Sequence, residues 1–328
     1  MFRARILGLG YYIPEKVVTN KDLEAYLDTT DEWIQTKIGV KERHVAADNE
    51  VTSDLAANAA KMALKNADIS AESIDMIVLA TNFPDHISPA TSIKIQEKIG
   101  ALNAFAFDIR AGGCPGLVYA LSIASKFIAD GTCKRILVSA ADMNSRGIDW
   151  NDRSTAVILG DGAAAVILEA VEEDQPGIIC SQLYTDPSGY YGAYVPAGGM
   201  VEPITEEVLK NRRQYFKMDG RAIFQFATKV FPESVEKIVA DNNMTLDDID
   251  FIIPHEANIN IIRESMKRLG IPMEKTYTNV DRIGNTGGSS TGIAFAEAVE
   301  KGLIKRGDKV VIVAFGAGLC WGAILLEY

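Results

Sequence analysis

The sequence predicts an α/β protein in which two similar halves stack in layers, and three observations support this fold class. Short apolar runs alternate with longer stretches of helical periodicity, as in strand-helix-strand units. The runs are apolar enough to be buried on both faces of a sheet. The same series of runs and helical stretches occurs twice along the chain, which indicates the duplication of one α/β unit.

The first copy predicts a helix, a strand and a helix, followed by a strand, a glycine-containing turn, a helix and a closing strand. These six elements span residues 53–65, 73–80, 90–99, 104–108, 115–128 and 135–140. The second copy repeats this order, again with a glycine-rich turn before its last helix. Its elements span residues 224–241, 248–255, 259–269, 276–280, 289–302 and 309–315.

An acidic stretch that contains a proline, residues 169–177, separates the two copies. We therefore predict an N-terminal half over residues 1–172 and a C-terminal half over residues 173–328. Two mixed sheets with helices on their faces then stack into layers. The segment over residues 184–213 contains several glycines and prolines and matches nothing in the first half, so we expect a loop or flap there.

Charge and composition exclude several classes of protein. Lysine and arginine number 33 against 44 aspartate and glutamate, so the net charge is −11 and nucleic acid is not an expected partner. With 48% hydrophobic and 23% charged residues, the chain has a globular composition and not a disordered one. The N-terminus lacks the pattern of a signal peptide. Glycines interrupt the uncharged residues 310–326, so we expect two buried strands there and no membrane span.

The cysteines do not form a recognisable metal or disulfide pattern. They are widely spaced and lack a CxxC pair, standing at Cys114, Cys133, Cys180 and Cys320. Neither a zinc site nor a disulfide framework is therefore predicted, and free thiols in a reducing cytoplasm are expected.

Cys114 is the first candidate for chemistry. It lies in a glycine-flanked turn before the helix that we predict to begin at Pro115, since proline is favoured in the first helical turn. A helix N-terminus lowers the pKa of a thiol and offers free backbone N–H groups, so this position suits a nucleophile. The alternative is a buried structural cysteine, which is the usual role of this residue type. This residue taken alone does not decide between the two.

His255 and Asn285 occupy equivalent corners in the second copy. Asn285 lies in the turn that corresponds to the Cys114 turn, and His255 follows the predicted strand at residues 252–254. Taken singly, such an asparagine is often a turn residue or a helix cap, and a lone histidine is more often structural. The internal symmetry gathers the three residues at adjacent strand ends, which predicts a catalytic constellation.

Along nearly its whole length, the sequence resembles the β-ketoacyl-acyl carrier protein synthase III family of the thiolase superfamily. The motifs that carry this resemblance, besides the Cys114 turn, are Asp31-Glu-Trp-Ile34, Gly39-Val-Lys-Glu-Arg43, Gly160-Asp-Gly162, Met218 with Gly220, His255-Glu-Ala-Asn258, Gly284-Asn-Thr286, Gly316-Ala-Gly318 and Trp321-Gly322. The resemblance implies a thiolase-like duplicated fold with α-β-α-β-α layers.

The resemblance also implies a reaction. Cys114 is then the nucleophile that takes the acyl group from an acyl-CoA, with the backbone N–H groups of Cys114 and Ala317 holding the oxyanion. His255 and Asn285 stabilise the enolate that forms when a malonyl thioester loses carbon dioxide. An acyl carrier protein is the implied partner, a homodimer is the implied assembly, and neither a metal nor a redox cofactor is required.

Further positions correspond to the CoA tunnel of the family. Trp33 would stack on the adenine with Arg153 on its other face, and Lys37 stands where an arginine that meets phosphate is usual. The residues that match the lining of the pantetheine arm are Ile158, Gly220, Phe224 and Asn258. The alternatives are a core tryptophan, a core phenylalanine and a surface arginine.

An acidic carrier protein requires a basic docking face. Six basic residues, among them Arg221, and one acidic residue lie between positions 210 and 229. A second group, Arg263, Lys267 and Arg268, follows on a predicted helix at spacings that allow a shared face. The alternative is a solvated helix surface.

Four features depart from the family pattern. Asn260 replaces an arginine that is important for carrier docking. Arg110 precedes Cys114 by four residues at a position that is usually small, in a turn that contains two glycines. Ser88 stands where an aromatic residue, donated across the dimer interface, often closes the acyl pocket. Glu256 replaces glutamine, and we expect its charge to shift the neighbouring histidine toward the protonated form.

These departures leave the primer open. An arginine near the acyl pocket can pair with a carboxylate. The primer can therefore be a simple acyl group, a bulky one, or a dicarboxylic one such as succinyl or glutaryl, as in relatives that make a 3-oxopimeloyl thioester. An acyltransferase that does not decarboxylate and a noncatalytic binding protein are further alternatives. The intact set of Cys114, His255 and Asn285 argues against the last. Whether malonyl arrives on CoA or on a carrier protein is also open.

Overall fold

The computed structural model describes residues 1–110 and 113–328, and its strands form two large sheets and two small ones. In chain order, the strands are β1 (Phe2–Tyr12), β2 (Lys16–Thr19), β3 (Glu42–Val45), β4 (Met76–Ala80), β5 (Phe105–Ile109), β6 (Arg135–Met143), β7 (Asp161–Glu172), β8 (Ile178–Thr185), β9 (Ala193–Tyr194), β10 (Lys217–Met218), β11 (Phe251–Pro254), β12 (Lys309–Gly316) and β13 (Cys320–Glu327).

The helices range from single turns to more than five turns. In chain order, they are α1 (Asn20–Glu24), α2 (Asp31–Lys37), α3 (Thr52–Ala67), α4 (Thr91–Ile99), α5 (Gly116–Ala129), α6 (Asn144–Gly147), α7 (Arg153–Ala156), α8 (Glu206–Lys210), α9 (Gly220–Ala240), α10 (Ile259–Leu269), α11 (Val280–Ile283) and α12 (Ser290–Glu300). Among the described residues, no helix is both long and apolar enough to span a membrane.

The two large sheets have corresponding strand orders. The first runs β1-β7-β6-β4-β5 and the second runs β8-β13-β12-β11. In each, three successive strands at one side pair antiparallel, β1-β7-β6 or β8-β13-β12, and β4 or β11 then joins in parallel. Strand β11, which His255 directly follows, thus corresponds to β4, whereas β5, which precedes Cys114, has no counterpart among the described strands of the second sheet.

Five layers follow from the way the strands divide their side chains. Met76, Val78 and Ala80 of β4 belong to the hydrophobic cluster that includes the central helices α5 and α12, whereas Ile77 and Leu79 belong to the cluster that includes the outer helices α3 and α4. Strands β11 and β12 divide their side chains in the same way between the central layer and the outer helices α9 and α10. Because successive side chains of a strand point to opposite faces, a fully apolar run serves both layers. The α-β-α-β-α fold is thus confirmed.

One predicted strand is wrong. Residues 276–280 do not form a strand, since Thr276 makes only an isolated bridge to Ile252 and α11 begins at Val280. The backbone N–H groups of Asn279 and Val280 instead donate to the carboxylate of Glu256, at 3.2 and 3.1 Å. A buried side chain has replaced the neighbouring strand as the hydrogen-bond partner.

Two other predicted segments can be compared with the structure. Strands β12 and β13 pair antiparallel around a glycine-containing turn, which confirms two buried strands over residues 310–326. The predicted loop over 184–213 contains a 3₁₀ helix at Pro187–Gly192 together with β9 and α8, so it is partly ordered by local structure.

Candidate active site

Cys114 lies between β5 and α5, where a turn from the other half of the chain meets it. The carbonyl oxygen of Gly113 accepts a hydrogen bond from the Gly116 N–H at 2.9 Å. A Cβ atom at Gly288 would lie 2.9 Å from the same oxygen, so the two turns approach closely only because that residue is glycine. Helix α5 begins at Gly116 with Pro115 as its N-cap, so the predicted start at Pro115 is one residue early and Cys114 precedes the helix.

The resting state of the Cys114 thiol differs from the prediction. Burial raises the pKa of Cys114 to about 12, and the carboxylate of Asp142 adds to this rise. Hydrogen bonds from the backbone N–H of Cys114 and from the side chain of Asn285 oppose it. We expected a lowered pKa at a helix start, but the loss of hydration outweighs these donors. The resting Cys114 side chain is therefore a thiol.

Asn285 is fixed by the first half of the chain. Its N–H donates to the Ile158 carbonyl and its carbonyl accepts from the Gly160 N–H, both at 2.9 Å. Its side-chain oxygen accepts from the Gly287 N–H at 2.8 Å, which leaves the amide NH₂ group to donate to Cys114. The structure thus places the Asn285 amide near Cys114, with its orientation set by Gly287.

His255 directly follows β11, as predicted, and is buried with 1% of its surface exposed. Its backbone N–H donates to Val313 at 2.9 Å, and its ring packs edge-on against Phe315 with the ring centroids 5.3 Å apart. Its Nδ1 atom lies 2.6 Å from the Ser290 hydroxyl. Burial lowers the pKa of His255 to about 3, so the imidazole is neutral at physiological pH.

Glu256 does not act on His255 as we expected. Its carboxylate points to Asn279 and Val280, and its other oxygen, Oε1, is buried without a partner among the described residues. Burial raises the pKa of Glu256 to about 8, so the side chain is a neutral acid near pH 7. A neutral acid does not favour a protonated histidine, and the predicted shift toward the charged imidazole is wrong.

Asp142 is a neighbour of the thiol that the sequence analysis missed. It ends β6 fully buried and accepts hydrogen bonds from the N–H groups of Asn82 and Gly288, both at 2.9 Å, so it joins turns from both halves. Burial raises its pKa to about 6. The available signal was an aspartate near the end of a mostly apolar strand, whereas Ser290 carried no distinguishing signal.

Trp33, in the first turn of α2, lies beside Arg153, the first residue of α7. The guanidinium carbon of Arg153 is 5.0 Å from the centroid of the Trp33 ring, and Trp33 is 37% exposed. Arg153 also donates to the carbonyl of Asp28 at 2.6 Å. A flat ring can stack on an exposed indole of this kind. The Arg153 guanidinium now covers one face of the indole.

The C-terminus of α2 contacts the start of α10. Asn258 caps α10 by accepting from the Asn260 N–H at 2.8 Å, and its NH₂ group donates to the Lys37 carbonyl at 3.0 Å. Asn260 donates to the same carbonyl at 2.9 Å. The amide of Asn258 keeps one N–H and one oxygen lone pair for a ligand. The Lys37 side chain is exposed.

The remaining tunnel candidates lie on other elements. Ile158 and Phe224 are half-buried and pack against two different hydrophobic clusters, and Gly220 is the exposed first residue of α9. Ala317 is half-buried in the turn between β12 and β13. Their roles in binding and in the oxyanion hole stay predictions.

The basic surface is smaller than its sequence suggests. Three members of the first basic group pair with acids from elsewhere in the chain: Arg212 with Asp149, Arg213 with Glu202 at 2.7 Å, and Lys217 with Asp152 at 3.0 Å.

The named docking candidates remain on the surface. Arg221, Arg263 and Lys267 are exposed, and Arg268 is exposed with Glu233 3.5 Å away. The docking candidates therefore lie on α9 and α10, while half of the first group is neutralised.

Ser88 and Arg110 line one cleft. Its volume is about 840 Å³, and Asn82, Phe83 and Arg146 also contribute to its walls. Both candidate residues are exposed, and the Asn82 side chain lies beside Gly113, next to the nucleophile. The two predicted acyl-pocket residues thus line the same cleft, although residues 111–112, between Arg110 and Gly113, lie outside the described residues.

Known proteins match the chain over its whole length. Residues 107–187 match the family described as 3-oxoacyl-[acyl-carrier-protein] synthase III, and residues 239–328 match its C-terminal region. A β-ketoacyl-[acyl-carrier-protein] synthase III from Clostridium acetobutylicum is 43% identical over 100% of this chain and 99% of its own length. One from Clostridium perfringens is 44% identical over 100% of both chains. The crystal structure of 3-oxoacyl-[acyl-carrier-protein] synthase III from Aquifex aeolicus is 38% identical and superposes with a TM-score of 0.91, covering 99% of this chain and 100% of that one.

Proposed function

The chain belongs to the 3-oxoacyl-[acyl-carrier-protein] synthase III family of condensing acyltransferases, and we propose that Cys114, His255 and Asn285 carry out its reaction. The enzyme is a β-ketoacyl thioester synthase, which joins an acyl group to a malonyl unit with loss of carbon dioxide. The observation that supports these residue roles is the placement of the oriented amide of Asn285, on a turn from the other half, near the Cys114 thiol.

In the first half-reaction, the Cys114 sulfur attacks the carbonyl carbon of an acyl-CoA. A bond forms between this carbon and Sγ, the bond to the CoA sulfur breaks, and the thiol proton ends on CoA. The backbone N–H groups of Cys114 and Ala317 are proposed to hold the oxyanion. The resting sulfur is protonated, and the nucleophile is the thiolate. Cys114 therefore loses its proton only when the thioester is bound.

In the second half-reaction, a malonyl thioester enters the same site. Its carbon–carbon bond to the carboxylate breaks, carbon dioxide leaves, and the electron pair forms an enolate on the thioester oxygen. The neutral His255 and the NH₂ group of Asn285 donate to that oxygen. The enolate carbon then bonds to the acyl carbon, the bond from that carbon to Sγ breaks, and Sγ takes up a proton from solvent to restore the thiol, which leaves a 3-oxoacyl thioester as the product.

Intact-protein mass spectrometry separates the two steps. The enzyme should gain one acyl group from a suitable acyl-CoA, and Cys114→Ala should gain none. Asn285→Ala should keep the adduct yet release carbon dioxide from malonyl thioester roughly 100-fold to 1000-fold more slowly, as is typical when one oxyanion donor is removed. An adduct that persists in Cys114→Ala would refute the assignment of the nucleophile.

The CoA adenine is proposed to lie between Trp33 and Arg153. A ring inserted there needs a van der Waals contact of about 3.5 Å on each face, so it requires a separation of about 7 Å. The present distance is 5.0 Å, and Arg153 must therefore move away as CoA binds. Lys37 at the end of α2 is proposed to meet a phosphate, and Asn258 with Ile158, Gly220 and Phe224 the pantetheine arm.

The acyl pocket is proposed to open into the cleft that contains Ser88 and Arg110. Adduct formation from acetyl-, isobutyryl-, octanoyl-, succinyl- and glutaryl-CoA reports the size and charge of the primer. If Arg110 pairs with a substrate carboxylate, Arg110→Ala should lose the preference for glutaryl-CoA over acetyl-CoA. If the preference is unchanged, Arg110 does not pair with a substrate carboxylate. The proposed condensing activity does not depend on this outcome.

We propose that an acyl carrier protein docks on α9 and α10, where Arg221, Arg263, Lys267 and Arg268 are exposed. Arg263 and Lys267 are one turn apart, so a double change to glutamate reverses two charges on one face. The matched control is Lys61→Glu with Lys65→Glu on α3, which has the same spacing in the opposite outer layer. Only the first double variant should raise the KM for malonyl carrier protein.

A homodimer is proposed to form through β5. This strand is an edge of the first sheet, and its Phe105 is 47% exposed. An apolar edge strand is a template for pairing with another chain. Sedimentation at micromolar concentration should show a dimer that Phe105→Asp weakens and that Phe2→Asp, on the opposite edge strand β1, leaves intact. We also propose a cytoplasmic location, in keeping with four free cysteines.

A further inference from the structure

A buried hydroxyl sits behind the histidine of the site. Ser290, the first residue of α12, is fully buried, and its Oγ atom lies 2.6 Å from Nδ1 of His255. The backbone N–H of Glu256 donates to the same Oγ at 3.3 Å. The hydroxyl is therefore held between two consecutive residues at the end of β11.

The hydrogen of this hydroxyl has one acceptor in reach. A serine in the first turn of a helix can also donate to a carbonyl of the preceding turn. Here the Thr286 carbonyl already accepts from the Ser289 hydroxyl at 2.8 Å. Within residues 1–110 and 113–328, the hydrogen-bond partners of Ser290 Oγ are Glu256 N–H, which donates to it, and His255 Nδ1. Every group is satisfied when the hydroxyl donates to Nδ1.

We propose that Ser290 is a positioning residue that holds the neutral His255 in the tautomer with its proton on Nε2. The neutral ring carries one N–H, and when Nδ1 accepts from Ser290 that N–H must be at Nε2. Phe315 packs edge-on against the ring and limits its rotation. The Nε2–H then points away from Ser290 as a fixed donor.

The role of this tautomer in catalysis rests on the proposed function. A fixed Nε2–H can donate to the enolate oxygen of the malonyl thioester without a proton transfer. The same tautomer cannot accept the Cys114 proton at Nε2, and its Nδ1 lone pair is occupied by the hydroxyl. His255 is therefore a donor in the condensation step and not the base for acylation.

Nuclear magnetic resonance reads the tautomer directly. In protein labelled with ¹⁵N-histidine, couplings from the ring carbon-bound protons to each nitrogen identify which nitrogen is protonated, and His255→Asn assigns the signals. The wild-type enzyme should show protonated Nε2 at pH 7. Protonated Nδ1 in the wild type would overturn the proposal, whatever any variant does.

The variants test the role of the hydroxyl. Ser290→Ala should add a signal from the other tautomer and slow carbon dioxide release at least about 10-fold, since a misplaced tautomer or a lost donor costs 100-fold or more in other enzymes. Ser290→Thr keeps the hydroxyl and should retain the wild-type tautomer. Ser289→Ala removes the neighbouring hydroxyl and is the control. Ser290→Ala with unchanged spectra and an unchanged rate would refute the role.

Cys114 acylation distinguishes this inference from the proposed function. The acyl adduct should form at the same rate in Ser290→Ala as in wild type, because the hydroxyl acts only through His255. If the wild-type enzyme forms no adduct, the proposed function fails while the tautomer measurement remains valid.

Discussion

Replacing Glu256 with glutamine should stabilise the protein at neutral pH and remove part of the pH dependence of its unfolding. Glu256 is fully buried with a pKa raised from 4.5 to about 8 by burial. Below pH 4.5 the side chain is protonated in both the folded and the unfolded state. Between these two values only the unfolded state ionises, so the free energy of unfolding falls as pH rises, and this loss is complete above about pH 8.

The size of the effect follows from the same shift. A rise from 4.5 to about 8 corresponds to about 5 kcal/mol in total, and to about 3 kcal/mol at pH 7, since each pKa unit is worth 1.36 kcal/mol. Glutamine keeps a carbonyl oxygen to accept from the N–H groups of Asn279 and Val280, so the hydrogen bonds to α11 survive. The gain from Glu256→Gln should therefore approach these values.

Urea denaturation at fixed protein concentration from pH 5 to pH 9 measures this difference. The difference in unfolding free energy between Glu256→Gln and wild type should widen toward pH 8 and then level. The other titrating groups contribute equally to both proteins, so their effects cancel in this difference. Glu97→Gln is the control. Glu97 is exposed and its pKa is lowered by Lys94, so it is ionised throughout this range and its gap should stay constant. A constant gap for Glu256→Gln would refute the buried neutral acid.

Three further predictions concern the site. The rate of Cys114 alkylation by iodoacetamide should rise with pH without a plateau below pH 9, because burial raises the thiol pKa to about 12. Asp142→Asn should speed alkylation at pH 8, because it removes the neighbouring negative charge. A plateau in the rate near pH 7 would contradict the raised pKa. Gly288→Ala should cost about 1–3 kcal/mol in unfolding free energy and slow acylation, since its Cβ would lie 2.9 Å from the Gly113 carbonyl; normal values of both would show that the turns can separate. Trp33→Ala should raise the KM for acyl-CoA about 10-fold with little change in kcat, as expected for lost stacking, and an equal KM in steady-state assays would place the adenine elsewhere.

The layers of the fold were predictable because local patterns encode burial. The apolar run of β4 contacts helices on both of its faces, as a strand without polar alternation must. Repetition of the same order of elements correctly predicted that His255 follows a strand, whereas Asn285 follows α11 and not the predicted strand. Local patterns wrongly predicted a strand at residues 276–280. There, the backbone N–H groups of Asn279 and Val280 donate to the buried carboxylate of Glu256, which is distant in sequence, and not to a neighbouring strand.

The ionisation of the site was decided only by the tertiary structure. A helix start suggested an acidic thiol at Cys114, yet burial and the carboxylate of Asp142, distant in sequence, give the opposite shift. The basic run near Arg212 likewise loses charge to Asp149, 63 residues away. Sequence by itself determined which residue types stand at the strand ends. Their protonation depends on hydration and on neighbours from other elements, which only the folded chain brings together.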